Sequence, residues 1–326
     1  MLTSEICKSC LRHKSCLLGR YMFLQRTIRH NVTVEGVGLH SGKLISLTFK
    51  PAPAGSGVHF VRSDLPGCPC LSALCDNITA TANATTLGGK DFAISTVEHC
   101  LSALGVLRID NLIIELNGPE IPIGDGSVCF FWEALRSAGI VEQEEPRKYM
   151  YITHPIYLGT DEKHVYVQPY NGLRLTCTIE FNHPKIQRQK IDIDINEHSF
   201  DLNLSKARTF GFLKDVEMLK SRGLIRGASL DNAVVLDDND IINPEGLRYP
   251  DEFVRHKTMD ALGDLVTLGY PIMGHVILYK AGHDLMSNFV KKVVHSHDCY
   301  RLIELGADLD MSQLDTRTAW VNHNYS

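Results

Sequence analysis

The sequence predicts an α+β protein of two domains, and three observations support this class. The chain has 326 residues, about twice the length of an ordinary domain. Its composition, with 44% hydrophobic and 22% charged residues, is typical of globular proteins with a sizeable core. Stretches with the period of strands and stretches with the period of helices occur in both halves, so each half is expected to contain a sheet with helices.

In the first half, strand-like stretches precede a helix. From Arg26 to Pro51 apolar and polar residues alternate around a glycine-rich turn, as in paired strands. NLIIELNGPEIPI (111–123) indicates a strand that ends at an Asn-Gly-Pro turn. SVCFFWEALRSAG (127–139) indicates a helix that ends at Gly139.

A polar, proline-containing stretch, VEQEEPRK (141–148), separates the two halves and is the expected domain boundary. It divides an N-terminal domain of residues 22–145 from a C-terminal domain of residues 146–305. Residues 1–21 match neither pattern and are expected to be a disordered extension, and residues 306–326 a tail.

The second half begins with strands and continues with helices. YMYITHPIYLG (149–159) and GLRLTCTIEF (172–181) indicate strands, and the second alternates cleanly between apolar and polar side chains. Helices are expected at about 212–222, 251–269 and 283–294.

The bulk properties exclude several classes of function. The net charge of −5 provides no global positive field to attract nucleic acid or anionic lipid. No run of 18 or more apolar residues predicts a membrane span, and the N-terminus lacks the apolar region of a secretory signal. We therefore expect a cytoplasmic protein, in which the ten cysteines are thiols or metal ligands rather than a disulfide framework.

The N-terminal extension contains Cys7, Cys10, His13 and Cys16 at three-residue intervals. This spacing is compatible with a bound metal ion. The alternative is an unstructured extension, or a chain that starts at Met22.

The stretch FVRHKTMDALGD (253–264) places His256, Asp260 and Asp264 four residues apart, so in a helix they share one face. An amphipathic helix with a solvated polar face explains this pattern. Against it, Asp and the nearby Gly263 are poor helix formers, and His with a carboxylate at i+4 can bind one metal ion. Both interpretations stay open on this stretch alone.

Three further stretches contain residues that suit catalysis. In ISTVEHCLSAL (94–104), Glu98 either closes a capping box with Ser95 or is a base beside the metal ligand His99. The other two stretches are YKAGHDLMSN (279–288), with Lys280 and His283 in a turn before a helix, and LSKARTFGFLKD (204–215), with Thr209 and Phe210 after two cations. Taken alone, the first is equally explained by a surface histidine in a loop, and the second by a basic loop.

Together these stretches, with QRTIRHNVTVEGVGLHSGK, NLIIELNGPEIPIGDGS and SRGLIRGASLDNAVV, form an ordered series of seven motifs. The series closely resembles the UDP-3-O-acyl-N-acetylglucosamine deacetylase family of lipid A biosynthesis, from about residue 24 to about residue 300. The resemblance implies a fold of two α+β domains with similar topology. Helices would be sandwiched between the two sheets, and the active site would lie at the domain interface.

The activity implied by the resemblance is zinc-dependent hydrolysis of the N-acetyl group of UDP-3-O-[(R)-3-hydroxyacyl]-N-acetylglucosamine. The products are UDP-3-O-acyl-glucosamine and acetate, in the committed step of lipid A and lipopolysaccharide biosynthesis of Gram-negative bacteria. A small insert would form an apolar passage for the acyl chain, which segment 206–226 with Phe210 is expected to line. The protein is expected to be a monomer.

The resemblance also assigns roles to matching residues. One catalytic Zn²⁺ would be held by His99, His256 and Asp260, with Glu98 as general base. Thr209 would stabilise the oxyanion, and His283, oriented by Asp264, would stabilise or protonate the departing amine. The expected substrate-binding residues are Lys257, Phe181, Phe210, Lys280 and Lys148.

Two other functions stay open. The same chemistry could act on another N-acetyl sugar nucleotide. The chain could also be a non-catalytic protein that binds a metal or a sugar nucleotide, although the complete set of catalytic residue types argues against this.

Overall fold

The computed structural model describes residues 23–305, and these residues form a mixed structure of helices and several β-sheets, which confirms the predicted α+β class. The strands are β1 (Leu24–Ile28), β2 (Val32–Val37), β3 (Leu44–Pro51), β4 (Val58–Arg62), β5 (Cys70–Ser72), β6 (Ile78–Ala80), β7 (Thr86–Gly88), β8 (Ala93–Ile94), β9 (Leu112–Leu116), β10 (Ile140–Pro146), β11 (Lys148–Ile152), β12 (Ile156–Thr160), β13 (Lys163–Gln168), β14 (Leu173–Phe181), β15 (Gln187–Asp194), β16 (Phe210–Phe212), β17 (Val234–Leu236), β18 (Ile272–Tyr279) and β19 (Tyr300–Glu304). The helices are α1 (Glu98–Leu107), α2 (Cys129–Ser137), α3 (Glu197–Asn203), α4 (Val216–Ser221), α5 (Glu252–Val266) and α6 (His283–His295).

The first large sheet has five strands in the order β2-β3-β9-β4-β5. Its neighbours are antiparallel except for the parallel pair β4 and β9. The alternation predicted for residues 44–50 is confirmed, since Ile45, Leu47 and Phe49 are all buried. The ring of Phe49 meets Phe131 of α2 edge-on, so α2 covers the inner face of this sheet.

The second large sheet has seven strands and is built around β18. β18 pairs with β13 on one edge and with β14 on the other, and its first residues also pair with β11. β14 continues to β15, β13 to β12, and β11 to β19. Smaller sheets pair β1 with β10, β16 with β17, and β6 and β8 with β7.

The helices connect the two large sheets. α2 packs on β2 of the first sheet, and α5 packs on β14 and β15 of the second. α1 contacts both α2 and α5, and one continuous hydrophobic core includes residues of both sheets. This core holds α1 and α5 side by side. The division into domains of residues 22–145 and 146–305 stays a prediction.

The stretch predicted as a polar boundary, residues 141–148, is largely a strand. β10 pairs antiparallel with β1, and its polar side chains alternate outward along this ribbon. The composition of a half-exposed strand is similar to that of a linker, because both contain few apolar residues. This similarity explains why residues 141–148 were predicted as a boundary. After Arg147 the chain enters β11 and thus the second sheet.

The predicted helices are found, with shifted ends. The expected helix over 127–139 is α2, and Gly139 follows it with a φ of 71°, a conformation that glycine adopts without strain. Residues 212–222 contain a short 3₁₀ turn and then α4, and residues 251–269 contain α5. No helix within residues 23–305 is long and apolar enough to cross a membrane. The Cys7, Cys10, His13 and Cys16 cluster and residues 306–326 lie outside the described residues.

Candidate functional site

The polar row on α5, whose members follow one another at intervals of four residues, is buried. The interpretation of this row as a solvated helix face is therefore wrong. His256, Asp260 and Asp264 are only 1%, 4% and 2% exposed. The opposite face, with Val254 and Leu262, is buried as well. α5 lies between α1 and the second sheet, so it has no face toward water. A buried row of one imidazole and two carboxylates requires compensating partners.

Gly263 explains how α1 and α5 approach closely enough to share a site. A Cβ atom at this position would collide with the backbone carbonyl of Glu98 at the start of α1. The glycine costs helix stability but allows the two backbones to touch. The crossing point therefore brings Glu98 and His99 directly over the polar row of α5.

Glu98 does not close a capping box as one interpretation of the sequence predicted. α1 begins at Glu98 itself, and the residue before it, Val97, makes no side-chain capping bond. The Glu98 carboxylate points inward, is 3% exposed, and accepts a hydrogen bond through Oε2 from the backbone N–H of Thr85 at 3.0 Å. Burial raises the pKa of Glu98, as do the nearby carboxylates of Asp260 and Asp264. Such a carboxylate is a better proton acceptor than an exposed one.

His99, His256 and Asp260 form a group with the geometry of a metal site. One nitrogen of each imidazole and a carboxylate oxygen all lie within 4.8 Å of one another. The Nε2 atoms of His99 and His256 are 3.4 and 3.3 Å from Oδ1 of Asp260, which has no hydrogen-bond partner among the described residues. Two nitrogens around an unpartnered, buried carboxylate oxygen fit a divalent cation.

Hydrogen bonding and burial prepare His256 as a neutral ligand. Its Nδ1 lies 3.1 Å from the carbonyl oxygen of Ala207, so Nδ1–H donates there and Nε2 keeps its lone pair. Burial lowers the pKa of His256 to about 3. Two histidines with one carboxylate leave a coordination position open, as catalytic zinc requires.

Lys257 holds the second oxygen of Asp260. Its Nζ lies 2.8 Å from Oδ2, while Oδ1 faces the histidines. Burial opposes ionisation of Asp260, but the adjacent imidazole of His256 and the ammonium of Lys257 hold its pKa well below the ordinary value. The carboxylate is therefore ionised and able to bind a cation.

His283, the first residue of α6, completes the cluster. Its Nδ1 lies 3.0 Å from Oδ2 of Asp264, and its Nε2 is 3.8 Å from both Oε1 of Glu98 and Oδ2 of Asp260. Burial opposes the charge on His283, but the carboxylates of Asp264 and Glu98 outweigh it and raise its pKa to about 9. An imidazole with this pKa is protonated at neutral pH, and its Nε2 faces Glu98 and Asp260.

Two groups that orient this cluster were not predicted from the sequence. The hydroxyl of Thr85 donates to Oδ1 of Asp264 at 2.6 Å, and the carbonyl of Ala207 accepts from His256. Thr85 lies in a loop without hydrophobic periodicity, and Ala207 contacts the cluster through its backbone carbonyl. Neither residue type therefore indicates a role in the site. The buried Arg208 holds the Ala207 segment, since its Nε lies 2.9 Å from Oε1 of Glu252.

The structure brings three predicted substrate-binding residues toward the cluster. The ring centroid of Phe210 is 6.4 Å from that of His256 and 5.6 Å from that of Phe181. Phe181 also lines a polar surface cleft with Lys280. Thr209 immediately precedes Phe210, is half-buried, and is fixed through its backbone N–H, which donates to the carbonyl of Gly126.

Lys148 is not brought to this cleft. It is the first residue of β11, where Met150 pairs with Ile272 at the start of β18, whereas Lys280 follows the end of β18. At about 3.3 Å per residue, this places Lys148 roughly 30 Å from Lys280. The resemblance named both lysines as substrate-binding residues, but a strand register between distant segments cannot be read from the sequence.

Comparison with known proteins shows which family the chain belongs to. Residues 25–295 match the family of UDP-3-O-acyl N-acetylglycosamine deacetylases (LpxC). The chain is 60% identical to the UDP-3-O-acyl-N-acetylglucosamine deacetylase of Bdellovibrio bacteriovorus, over 92% of this chain and 99% of the relative. It is 46% identical to that of Myxococcus xanthus, over 86% of this chain and 89% of the relative. It is 43% identical to that of Geotalea uraniireducens, over 87% of this chain and 92% of the relative. The chain therefore belongs to the UDP-3-O-acyl-N-acetylglucosamine deacetylase family.

Proposed function

We propose that the protein is a zinc-dependent N-deacetylase that hydrolyses the acetamide of UDP-3-O-acyl-N-acetylglucosamine, the committed step of lipid A biosynthesis. The family membership and the activities by which the relatives are named support the substrate. The observation that carries the proposal is the buried convergence of Glu98 and His283 on the metal-ligand group, with His283 Nε2 3.8 Å from both Glu98 and Asp260.

His99, His256 and Asp260 would hold the ion, since their donor atoms fit zinc in number and type. When bound there, zinc supplies a Lewis acid that polarises an amide carbonyl and makes water acidic near neutral pH. Lys257, which bonds to Asp260 Oδ2, keeps this ligand ionised and oriented. It also places a cation beside the substrate.

The protein's own groups would move the protons. Glu98, with its raised pKa, accepts the proton of the attacking water as the new C–O bond forms at the acetyl carbon. Thr209 stabilises the negative charge that develops on the carbonyl oxygen. As the C–N bond breaks, His283 gives its Nε2 proton to the departing amine, and Asp264 holds the ring in place. The products are acetate and the free amino sugar.

The surfaces next to the cluster suit the uridine diphosphate and the acyl chain of the substrate. The cleft that contains Phe181, Arg188 and Lys280 offers an aromatic ring and two cations, which suit a uridine diphosphate. Phe210 packs against Phe181 and Phe253, and this aromatic group offers an apolar surface that suits an acyl chain. A substrate that joins both parts explains why an apolar cluster and a cationic cleft adjoin.

The test is acetate release by the purified full chain, with zinc measured in the same preparation. His256→Ala and metal chelation are each expected to abolish turnover, because each removes the ion. His275→Ala is the matched control, since His275 bonds to Thr176 on the second sheet, outside the cluster. Full turnover by metal-free protein would overturn the mechanism. Equal turnover of a substrate without the 3-O-acyl chain would instead favour another N-acetyl sugar nucleotide.

A further inference from the structure

Thr85 contacts both the proposed general base, Glu98, and the proposed general acid, His283. It is 1% exposed, and all its polar groups are bonded. Its backbone N–H donates to Oε2 of Glu98 at 3.0 Å, and its carbonyl accepts from the N–H of Val97 at 3.2 Å. Its hydroxyl lies 2.6 Å from Oδ1 of Asp264 and 3.2 Å from Nδ1 of His283. One residue thus contacts the base, the acid and the carboxylate that orients the acid.

The chemistry of the partners fixes the direction of these bonds. An ionised carboxylate only accepts, so the single hydroxyl proton of Thr85 goes to Oδ1 of Asp264. The hydroxyl oxygen is then left to accept from His283, whose Nδ1–H also donates to Oδ2 of Asp264 at 3.0 Å. Nδ1 of His283 must therefore carry a proton. Only Nε2, which faces Glu98, is free to lose or gain one.

We infer that Thr85 is a positioning residue for the deacetylation, which fixes both the separation of Glu98 from His283 and the tautomer of His283. This inference rests on the proposed function and deepens it. The backbone bond restrains Glu98, so that Oε1 points toward His283. The hydroxyl bonds restrain Asp264 and His283, which lie on two other helices. Small displacements of such groups reduce turnover strongly, because proton transfer requires hydrogen-bond reach.

A purely structural hydroxyl would behave differently. Its loss would lower stability, and activity would fall only with the folded fraction. Loss of a positioning hydroxyl leaves substrate binding and the metal ligands intact, so kcat falls while KM and zinc content stay near the wild-type values. Thr27 offers a matched comparison, since its hydroxyl is also buried and bonded, but to the carbonyl of Asn111 in another part of the protein.

The experiment compares Thr85→Val, Thr85→Ser and Thr27→Val in zinc-loaded protein. Thr85→Val, which keeps the shape but loses the hydroxyl, is expected to lower kcat about 10- to 100-fold, as for a hydrogen bond to a charged group. KM and zinc content should stay within about twofold, and Thr85→Ser should restore most of the rate. Thr27→Val should keep the wild-type kcat. If Thr85→Val does not fold, the pair Thr85→Ser and Thr85→Ala gives the same comparison, because both lack the methyl group.

A second readout does not require turnover. The Nδ1–H resonance of His283, assigned by its loss in His283→Gln, should shift or broaden in Thr85→Val and persist in Thr85→Ser. Wild-type kcat in Thr85→Val, equal defects in the Val and Ser variants, or an unchanged His283 resonance would each overturn the inference. An inactive wild-type protein would instead contradict the proposed function, and the resonance would still decide the role of Thr85.

Discussion

At the scale of single residues, the Glu98 carboxylate has two oxygens with different surroundings. Oε2 is occupied by the N–H of Thr85, whereas Oε1 faces His283 at 3.8 Å. One oxygen thus anchors the side chain and the other stays available for a proton. Burial raises its pKa, which suits a group that must take a proton from water and hold it briefly.

Glu98→Gln tests this role with little change of shape. The amide cannot accept a full proton, so kcat should fall by about 10²- to 10⁴-fold, the usual contribution of a general base. Zinc content should stay near one ion per chain, because Glu98 is not among the three proposed ligands. Acetate release and metal analysis on the same sample check both expectations. A variant that loses its zinc would show that Glu98 is a ligand instead.

Several residues of the site could be predicted from the sequence because the motifs that contain them resemble those of a known family. His256, Asp260 and Asp264 repeat every four residues, and the distinctive STVEH and YKAGH stretches contain Glu98 and His283. Thr85 could not be found in this way, because a loop threonine has no periodicity and its partners Asp264 and His283 are 179 and 198 positions away. Contacts over such distances are a property of the fold.

At the scale of elements, the site depends on how closely α1 and α5 cross. Gly263→Ala is expected to separate them, since the added methyl would meet the backbone of Glu98. In an exposed helix this change would stabilise by about 1 kcal/mol, but here overpacking should cost about 1–3 kcal/mol or more. Thermal unfolding and zinc content are the measurements, and both are expected to fall.

Gly211→Ala is the control for that experiment. Gly211 lies in β16, and a Cβ there would have nothing within 4 Å, so the unfolding temperature should change little. If Gly263→Ala were as stable as wild type and kept its zinc, the close crossing would not be needed for the site.

Element types were predictable where the hydrophobic period was clear, as in β3 and α2. The burial of α5 could not be predicted, because the sequence pattern of its polar row is also that of an amphipathic helix with one face in water. Packing against both α1 and the second sheet decides the question. The strand character of β10 was missed for a related reason, since its edge position tolerates the polar residues that also occur in linkers.

At the scale of the whole molecule, the proposed metal ligands lie on α1 and α5, and strands of both large sheets separate these two helices along the chain. A bound ion would therefore stabilise the folded protein against unfolding, by about 4 kcal/mol when free zinc is a thousandfold above its Kd. Chelation should lower the unfolding temperature of the wild-type protein. His256→Ala should unfold at the same temperature with and without chelator, and a wild-type protein equally insensitive to chelator would contradict the site.

The overall α+β class follows from alternating strand and helix patterns, but the strand order does not. β18 pairs with strands from far earlier in the chain, including β11, β13 and β14. Such pairings depend on which apolar faces fit together, so the sequence could not show that β11 and β18 place Lys148 and Lys280 far apart.

The separation of α1 from α5 along the chain also has a consequence during biosynthesis. At about 5–20 residues per second, the roughly 160 residues between His99 and Asp260 take on the order of 10–30 s to synthesise. During that interval the nascent chain carries one histidine of the three-residue group and no partner helix for α1. An ion could be captured in this geometry only after α5 has emerged from the ribosome, so the proposed metal site can form only late in synthesis.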